Sequence, residues 1–543
     1  MKKFSSILFL LVFSFNTTVY SQSSGFEVIK NLELIDLIFL NLEKYYVDAP
    51  KTGAISKAGI DAMLHELDPY TVFYHEANVE DYRMMTTGQY GGIGALIRKI
   101  DDYVVITDPY EDSPAQKAGL KSGDKILSID GRDMKNKPTE EVSSALKGTK
   151  GSVIKIEYDR PFEGKGMVDV KRDEIKLPDV PYSGMLDNTI GYIQLSSFTQ
   201  TASNSVKKAF QDLQSEGMEK IVLDLRGNGG GLLIEAVDIV NLFVPKDQVI
   251  VKTKARIKEE NRTYSTRHNP VDLDIPVVVI IDEGSASASE IVAGSLQDLD
   301  RGVVVGRTSF GKGLVQRTLD LKYGSKMKLT IAKYHTPSGR CVQKLDYYHK
   351  NEGGVDEVPD SLITIFKTKN GREVIDARGI EPDLKISSEK TGRLTMSLMT
   401  KNIIFDYAGL YAHENPSIED PQNFQLTDEE YKKFKAFVLE QEFDYSSRSE
   451  ERLKKVLEMA EEEGYDQLIE EEYDALLKKV KGSKEKDLDL YKGQIRSLLQ
   501  NEIVSRYYFQ KGRIINSFKS DEALEEAIKV LSDETLYKEI LTP

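Results

Sequence analysis

The run Asp282-Glu283-Gly284-Ser285-Ala286-Ser287-Ala288-Ser289-Glu290 comes after the apolar stretch Pro276 to Ile281 and precedes Ile291-Val292-Ala293-Gly294. A β-branched run, a turn of small residues and then apolar residues behind a polar start read as strand, turn and helix. Ser287 and Glu290 form the S-x-x-E pattern of a capping box, whose side chains satisfy N–H groups left open by the first helical turn. The same position puts a serine oxygen at the positive end of a helix dipole. A nucleophile there would have the N–H of Ala288 beside it to help hold a tetrahedral oxyanion. Ser287 is therefore favoured over Ser285 and Ser289 on the capping reading and on the catalytic one alike.

Working outward, from about residue 181 to 390 apolar strand-like runs alternate with helical ones: Ile190 to Ile193, Ser205 to Leu213, Ile221 to Asp224, Leu232 to Phe243, then the run from Pro276. This alternation predicts α/β organisation. A second junction, Asp224-Leu225-Arg226-Gly227-Asn228-Gly229-Gly230-Gly231, also falls between a strand and a helix. Loops at strand ends, with helix N-termini directing donors into them, are where α/β folds place chemistry.

A nucleophilic serine needs a base. The six histidines, at 65, 75, 268, 335, 349 and 413, lie in no catalytic motif, and His335 in Tyr334-His335-Thr336-Pro337 is the best placed of them. A lysine stands between two glycines in Thr308-Ser309-Phe310-Gly311-Lys312-Gly313-Leu314-Val315-Gln316. At its reference pKa a lysine is neutral in only about one molecule in 2,500 at pH 7, so Lys312 would have to be desolvated to act as a base. Gln316 could then fix the direction of the amine, as the third member of a catalytic triad does. The same segment, Gly306 to Gly313, also fits most of a phosphate-binding loop. Its last position holds Gly313 in place of the magnesium-binding hydroxyl, and the next residues, Leu314 to Leu321, alternate like a strand, so an NTPase is set aside.

Ahead of this region, Tyr90-Gly91-Gly92-Ile93-Gly94-Ala95 feeds the β-like runs Ala95 to Ile97, Tyr103 to Ile106 and Val153 to Ile156. Between them, Ser113 to Gly131 reads as a short helix, a Gly-Asp turn and a strand ending in Asp-Gly. N–H groups of Gly91, Gly92, Ile93 and Gly94 could converge on a terminal carboxylate while the peptide adds as a strand to an exposed edge. Residues 86 to 175 together resemble a PDZ domain.

Taken in order, Leu225-Arg226-x-Asn228-x-Gly230-Gly231, Ser285 to Glu290, and Phe310-Gly311-Lys312-Gly313-x-x-Gln316, behind the PDZ-like segment, resemble the carboxy-terminal processing peptidases, or tail-specific proteases. The likeness covers about residues 26 to 390, and Tyr334 to Arg340 and Gly379 to Asp383 also look like family segments. It implies a crotonase-like α/β protease core, with a PDZ domain that gates the site. It also implies Ser287 as nucleophile, Lys312 as base, Gln316 as its orienting partner, and the N–H groups of Ala288 and Gly231 as the oxyanion hole. The chemistry implied is acyl transfer to serine and hydrolysis of the acyl-enzyme, with no metal or other cofactor. A non-catalytic PDZ scaffold that binds C-terminal tails is the alternative.

The remaining features bound the setting. Lys2 and Lys3 before the apolar run Ile7 to Phe15 read as a signal peptide over residues 1–21, so export to the periplasm or cell envelope is expected. The single cysteine, Cys341, excludes an internal disulfide. With 73 basic against 88 acidic residues, a net charge of −15 argues against nucleic acid as a partner, and it is the resemblance that implies protein or peptide substrates with free C-termini. Residues 26–85 keep helical spacing and read as an N-terminal helical cap. Residues 391–543 read as a helical C-terminal domain that could pack on the core, mediate homo-oligomers, dock an adaptor or remain a solvated appendage.

Overall fold

The runs Ile190–Gln194, Lys220–Asp224, Val277–Ile281 and Val303–Gly306 lie side by side as parallel strands in a computed structural model of the chain. It describes residues 23–542 apart from 76–82, 85, 351–353, 388–390, 444, 446–447 and 481–483, so the expected signal peptide lies outside the described residues. Tyr182–Met185 adds an antiparallel strand at one edge of this sheet and Leu384–Lys385 a parallel one at the other. Continuous apolar strands of this kind are buried on both faces. Val277, Val279 and Ile281 face one way, onto Val206 and Phe210 of helix Ala202–Ser215, Val237 and Val240 of helix Leu233–Val240, and Ile291 and Leu296 of helix Ala288–Asp298. Val278 and Ile280 face the other way, with Tyr192, Val222, Val303 and Val305, onto Ala523, Leu524, Ala527, Val530, Leu531 and Tyr537.

That second covering layer comes from helices Glu522–Ser532 and Glu534–Leu541, far along the chain. Of the roles open to the C-terminal region, packing on the core is the one these two helices take. The helices before them have a core of their own, built on Leu398, Ile404, Tyr407, Phe434, Leu499 and Ile503.

The PDZ-like segment forms a separate sheet in the order Ala95–Ile100, Tyr103–Pro109, Lys125–Ile129, Val153–Arg160, Gly164–Lys171. Val104, Ile106, Ile126, Ile154 and Ile156 meet Val142 and Leu146 of helix Thr139–Leu146 in its core. Ala95–Ile100 is an edge strand beside that helix. Strand Gln89–Gly92 pairs antiparallel with Asp173–Lys176 where the segment begins and ends.

The N-terminal region, with residues 318–329, is a compact unit in its own right. Helices Ser23–Tyr45 and Thr52–His65 agree with the helical spacing, and strand Val72–Tyr74 pairs antiparallel with Lys326–Lys328.

Candidate active site

Three neighbouring parallel strands end on the same side of the sheet, and each delivers one of the sequence motifs. Lys220–Asp224 runs into the glycine loop, Val277–Ile281 into the serine loop, and Val303–Gly306 into the segment that carries Lys312. A parallel sheet with crossover connections makes this convergence geometric, since all its loops after strands emerge at one edge.

Hydrogen bonding separates the three serines. Ser285 is fully buried, and its Oγ donates to the carbonyl of Leu225 at 2.8 Å and accepts from the N–H of Asp282 at 3.0 Å. Ser289, equally buried, donates from Oγ to the carbonyl of Asn228 at 2.8 Å. Both flanking hydroxyls stitch the serine loop to the glycine loop. Ser287 lies between them, half-buried, with φ 56° and ψ −109°. A non-glycine residue held at positive φ costs about 1–3 kcal/mol and persists where the surroundings enforce it, as at the sharp turns that present a nucleophile.

Glu290 supplies much of that enforcement. Its fully buried carboxylate accepts from the N–H of Ser287 at 2.8 Å, as the capping pattern predicts. It also accepts from the N–H groups of Gly311 and Lys312, at 2.8 Å each, and from Ser309 Oγ at 2.6 Å. One carboxylate thus fixes the backbone of the serine and of the lysine together. Burial pushes the Glu290 carboxyl above the usual carboxylate range, and the four donors pull it back. Tyr334, also buried, donates from its hydroxyl to the Ser287 carbonyl at 3.2 Å.

The glycine loop closes the site from the other side. The carbonyl of buried Asn228 accepts from the N–H of Ala286 at 3.0 Å, and its side chain accepts from the N–H of Gly230 at 2.9 Å. Gly230, at φ 98°, runs so close to the serine that an added Cβ would lie 2.9 Å from Ser287 Cβ and 2.9 Å from the Ala288 nitrogen. Gly231 bridges Phe198 in parallel register: the Phe198 N–H donates to Gly230 and the Phe198 carbonyl accepts from Leu232. In such a bridge the N–H of the middle residue, Gly231, points away from the partner strand. Ala288 opens helix Ala288–Asp298, where N–H groups have no partner within the helix.

Gln316 lies on strand Leu314–Asp320, half-buried, and donates from Nε2 to Thr330 Oγ1 at 3.2 Å. Lys312 is half-buried just before that strand. His335 Nδ1 lies 3.0 Å from the Gly339 carbonyl, and burial holds its pKa below the usual histidine value. In the PDZ-like segment Gly91 and Gly92 belong to a strand, while Ile93 and Gly94 make the turn into the edge strand. The carbonyls of Gly91, Ile93 and Gly94 accept from the N–H groups of Gly148, Ala115 and Tyr110. Gly94 has φ 73°, and a Cβ on it would come within 2.6 Å of Ser113 Cβ. Sequence reading did not single out Gly230, Asn228, Ser309 or Tyr334 as site residues. The close approach of Gly230 is the one with a local signal, a glycine in a run of three.

Residues 189–348 match peptidase family S41, residues 105–160 a PDZ domain, and residues 394–531 the domain described as "Probable PDZ-protease, C-terminal helical domain"; the chain carries all three. It is 35% identical over 314 residues to a protein named "Probable CtpA-like serine protease" from Staphylococcus haemolyticus (strain JCSC1435), covering 58% of this chain and 63% of that one. A protein of the same name from Staphylococcus aureus (strain bovine RF122 / ET3-1) is 34% identical over 313 residues, 58% of this chain and 62% of that one. The chain therefore spans less than two thirds of the length of these relatives. The solved photosystem II D1 C-terminal processing protease is 26% identical, with a TM-score of 0.36, covering 65% of this chain and 86% of that one.

Proposed function

We propose that the chain is an exported serine endopeptidase that takes hold of protein C-terminal tails through its PDZ domain and cleaves them through an acyl-enzyme. Lys312, acting in its neutral form, accepts the proton of Ser287 Oγ as that oxygen attacks the scissile carbonyl. The oxyanion accepts from the N–H groups of Ala288 and Gly231. Collapse of the tetrahedral intermediate expels the amine, which takes the proton back from Lys312. Lys312 then deprotonates the water that releases the acyl group, with Gln316 orienting the amine. No metal or cofactor takes part in these steps. The tail adds as a strand along Ala95–Ile100, an edge strand on which Leu96 is 49% exposed, with its carboxylate in the turn after Gly91 and Gly92.

The observation that carries this reading is the Glu290 carboxylate, on which the N–H groups of Ser287 and Lys312 converge at 2.8 Å each. The test is hydrolysis of a tail peptide by Ser287→Ala, Lys312→Ala and Lys312→Arg, all expected to be inactive. Arginine keeps the charge and cannot release a proton at working pH. A free-acid peptide should be cleaved faster than its C-terminal amide. Ser287→Ala that cleaves as wild type would remove the mechanism. Tail binding without cleavage by the wild-type chain would favour the scaffold alternative.

A further inference from the structure

The glycine loop is anchored at its base by a residue from the far end of the chain. Arg226 lies two positions before Asn228 and four before Gly230. Its guanidinium is held from its own strand by Asp224, through Nε to both carboxylate oxygens at 3.0 Å. Asp224 in turn accepts from the Tyr192 hydroxyl at 2.7 Å and is 1% exposed. On its other side the guanidinium donates from Nη1 and Nη2 to the two oxygens of Asp521, at 2.8 and 2.6 Å. Asp521 is 10% exposed, caps helix Glu522–Ser532 by accepting from the Leu524 N–H, and sits 295 residues away in sequence.

We propose that Asp521 is a positioning residue for the oxyanion hole. Two-pronged arginine–carboxylate pairs fix orientation as well as distance, because both partners are planar and each contact constrains the other. The Arg226 N–H donates to the same carboxylate, at Asp224 Oδ1 and 2.9 Å, so the guanidinium and the backbone between Leu225 and Gly227 share one anchor. Leu225 accepts the Ser285 hydroxyl, and the N–H of Gly227 donates to Asp282. The helix that covers the second face of the sheet thereby sets the height of the glycine loop against Ser287. Its contribution should be felt where the loop's N–H groups meet developing negative charge, in the transition state rather than in substrate binding. The inference rests on the peptidase reading and assigns the C-terminal helices a part in it.

The test compares full-length Asp521→Asn and Asp521→Ala with wild type, with rates normalised to active sites counted by a fluorophosphonate label. Asparagine can still cap the helix, so folding is retained, but it turns an N–H₂ toward the guanidinium. Displacing oxyanion donors should lower kcat per active site by about ten- to a hundredfold, with KM within about twofold of wild type. A peptide boronic acid, which forms a tetrahedral adduct on serine, should lose affinity by the same factor as kcat/KM. A merely structural role predicts fewer labelled sites or a lower unfolding midpoint with unchanged kcat per site, and that result overturns the proposal. Hydrolysis that survives Ser287→Ala would instead sink the peptidase reading, whatever the Asp521 variants do.

Discussion

Glu290→Gln changes almost no volume and removes one acceptor from a carboxylate on which four donors converge. An amide oxygen can replace only one of the two carboxylate oxygens. If it takes the place of Oε2, it keeps the N–H groups of Ser287 and Lys312, and the new N–H₂ faces Gly311 and Ser309. If it takes the place of Oε1, the two N–H groups at the serine and the lysine are opposed instead. Either way two donors lose their acceptor, each hydrogen bond to a charged group being worth about 1.5–3 kcal/mol. Against this, a fully buried charge is relieved, so the net loss of stability should be about 1–3 kcal/mol. The larger effect is geometric, because a shift of about 1 Å between nucleophile and base can cost about a hundredfold in rate. The assay is kcat/KM on a quenched tail peptide, alongside urea unfolding. The pH dependence of the unfolding comparison has a definite sign. Burial raises the folded-state pKa of Glu290, so the stability it contributes is full below the unfolded pKa and is lost as pH rises through the folded one. Wild type should therefore lose part of its advantage over Glu290→Gln as pH rises through that window. A variant that matches wild type in kcat/KM would show that the shared carboxylate does not hold the two groups in register.

Gly230→Ala should reduce kcat/KM by at least about a hundredfold in the same assay, since its Cβ would lie 2.7 Å from the Ala286 carbonyl and 2.9 Å from Ser287 Cβ, so Ser287, the nucleophile proposed above, must shift. Ser289→Ala should cost about 1–2 kcal/mol in urea unfolding, through the lost bond to Asn228, with activity per folded molecule within a few-fold of wild type. His335→Gln should retain the rising limb of the pH–rate profile. Because burial lowers the folded-state pKa of His335, wild-type stability should fall as pH drops through the unfolded histidine pKa of about 6.5, and the variant's urea midpoint should change less over that range.

The features legible in the sequence were local ones. The β-branched run into Ser287 and the S-x-x-E pattern depend on neighbours a few residues apart, and the strand, the turn and the Glu290 bond to Ser287 all stand. The α/β alternation was legible for the same reason. The second role of Glu290, toward Gly311 and Lys312, needs two strands to lie side by side, and no local pattern encodes that pairing. The glycine triplet was visible, but which glycine approaches the serine was not. The resemblance pointed to the N–H of Gly231, while the missing side chain that matters most for close approach is that of Gly230. In the PDZ-like segment the run of glycines read as one loop, whereas pairing with Asp173 and Glu174 draws Gly91 and Gly92 into a strand. The apolar spacing of Ala523, Leu524, Ala527, Val530 and Leu531 predicted a helix but left open whether it packs on the core or stays a solvated appendage. Only the strand faces of Val278 and Ile280 show what that is.

Because that helix supplies the second face of the sheet that carries the Ser287 loop, assembly of the protein has a built-in order. A chain emerging from its N-terminus presents Val222, Val278, Ile280, Val303 and Val305 long before residues 522–541 arrive to cover them. Until then the sheet is a half-finished layer with an apolar surface, the kind of species that aggregates or waits on a chaperone. The contact between Arg226 and Asp521 closes a loop of 295 residues, so it forms late, only after residue 521 has been made. Fragments released before residue 521 carry Ser287 and Lys312 without the finished scaffold around them.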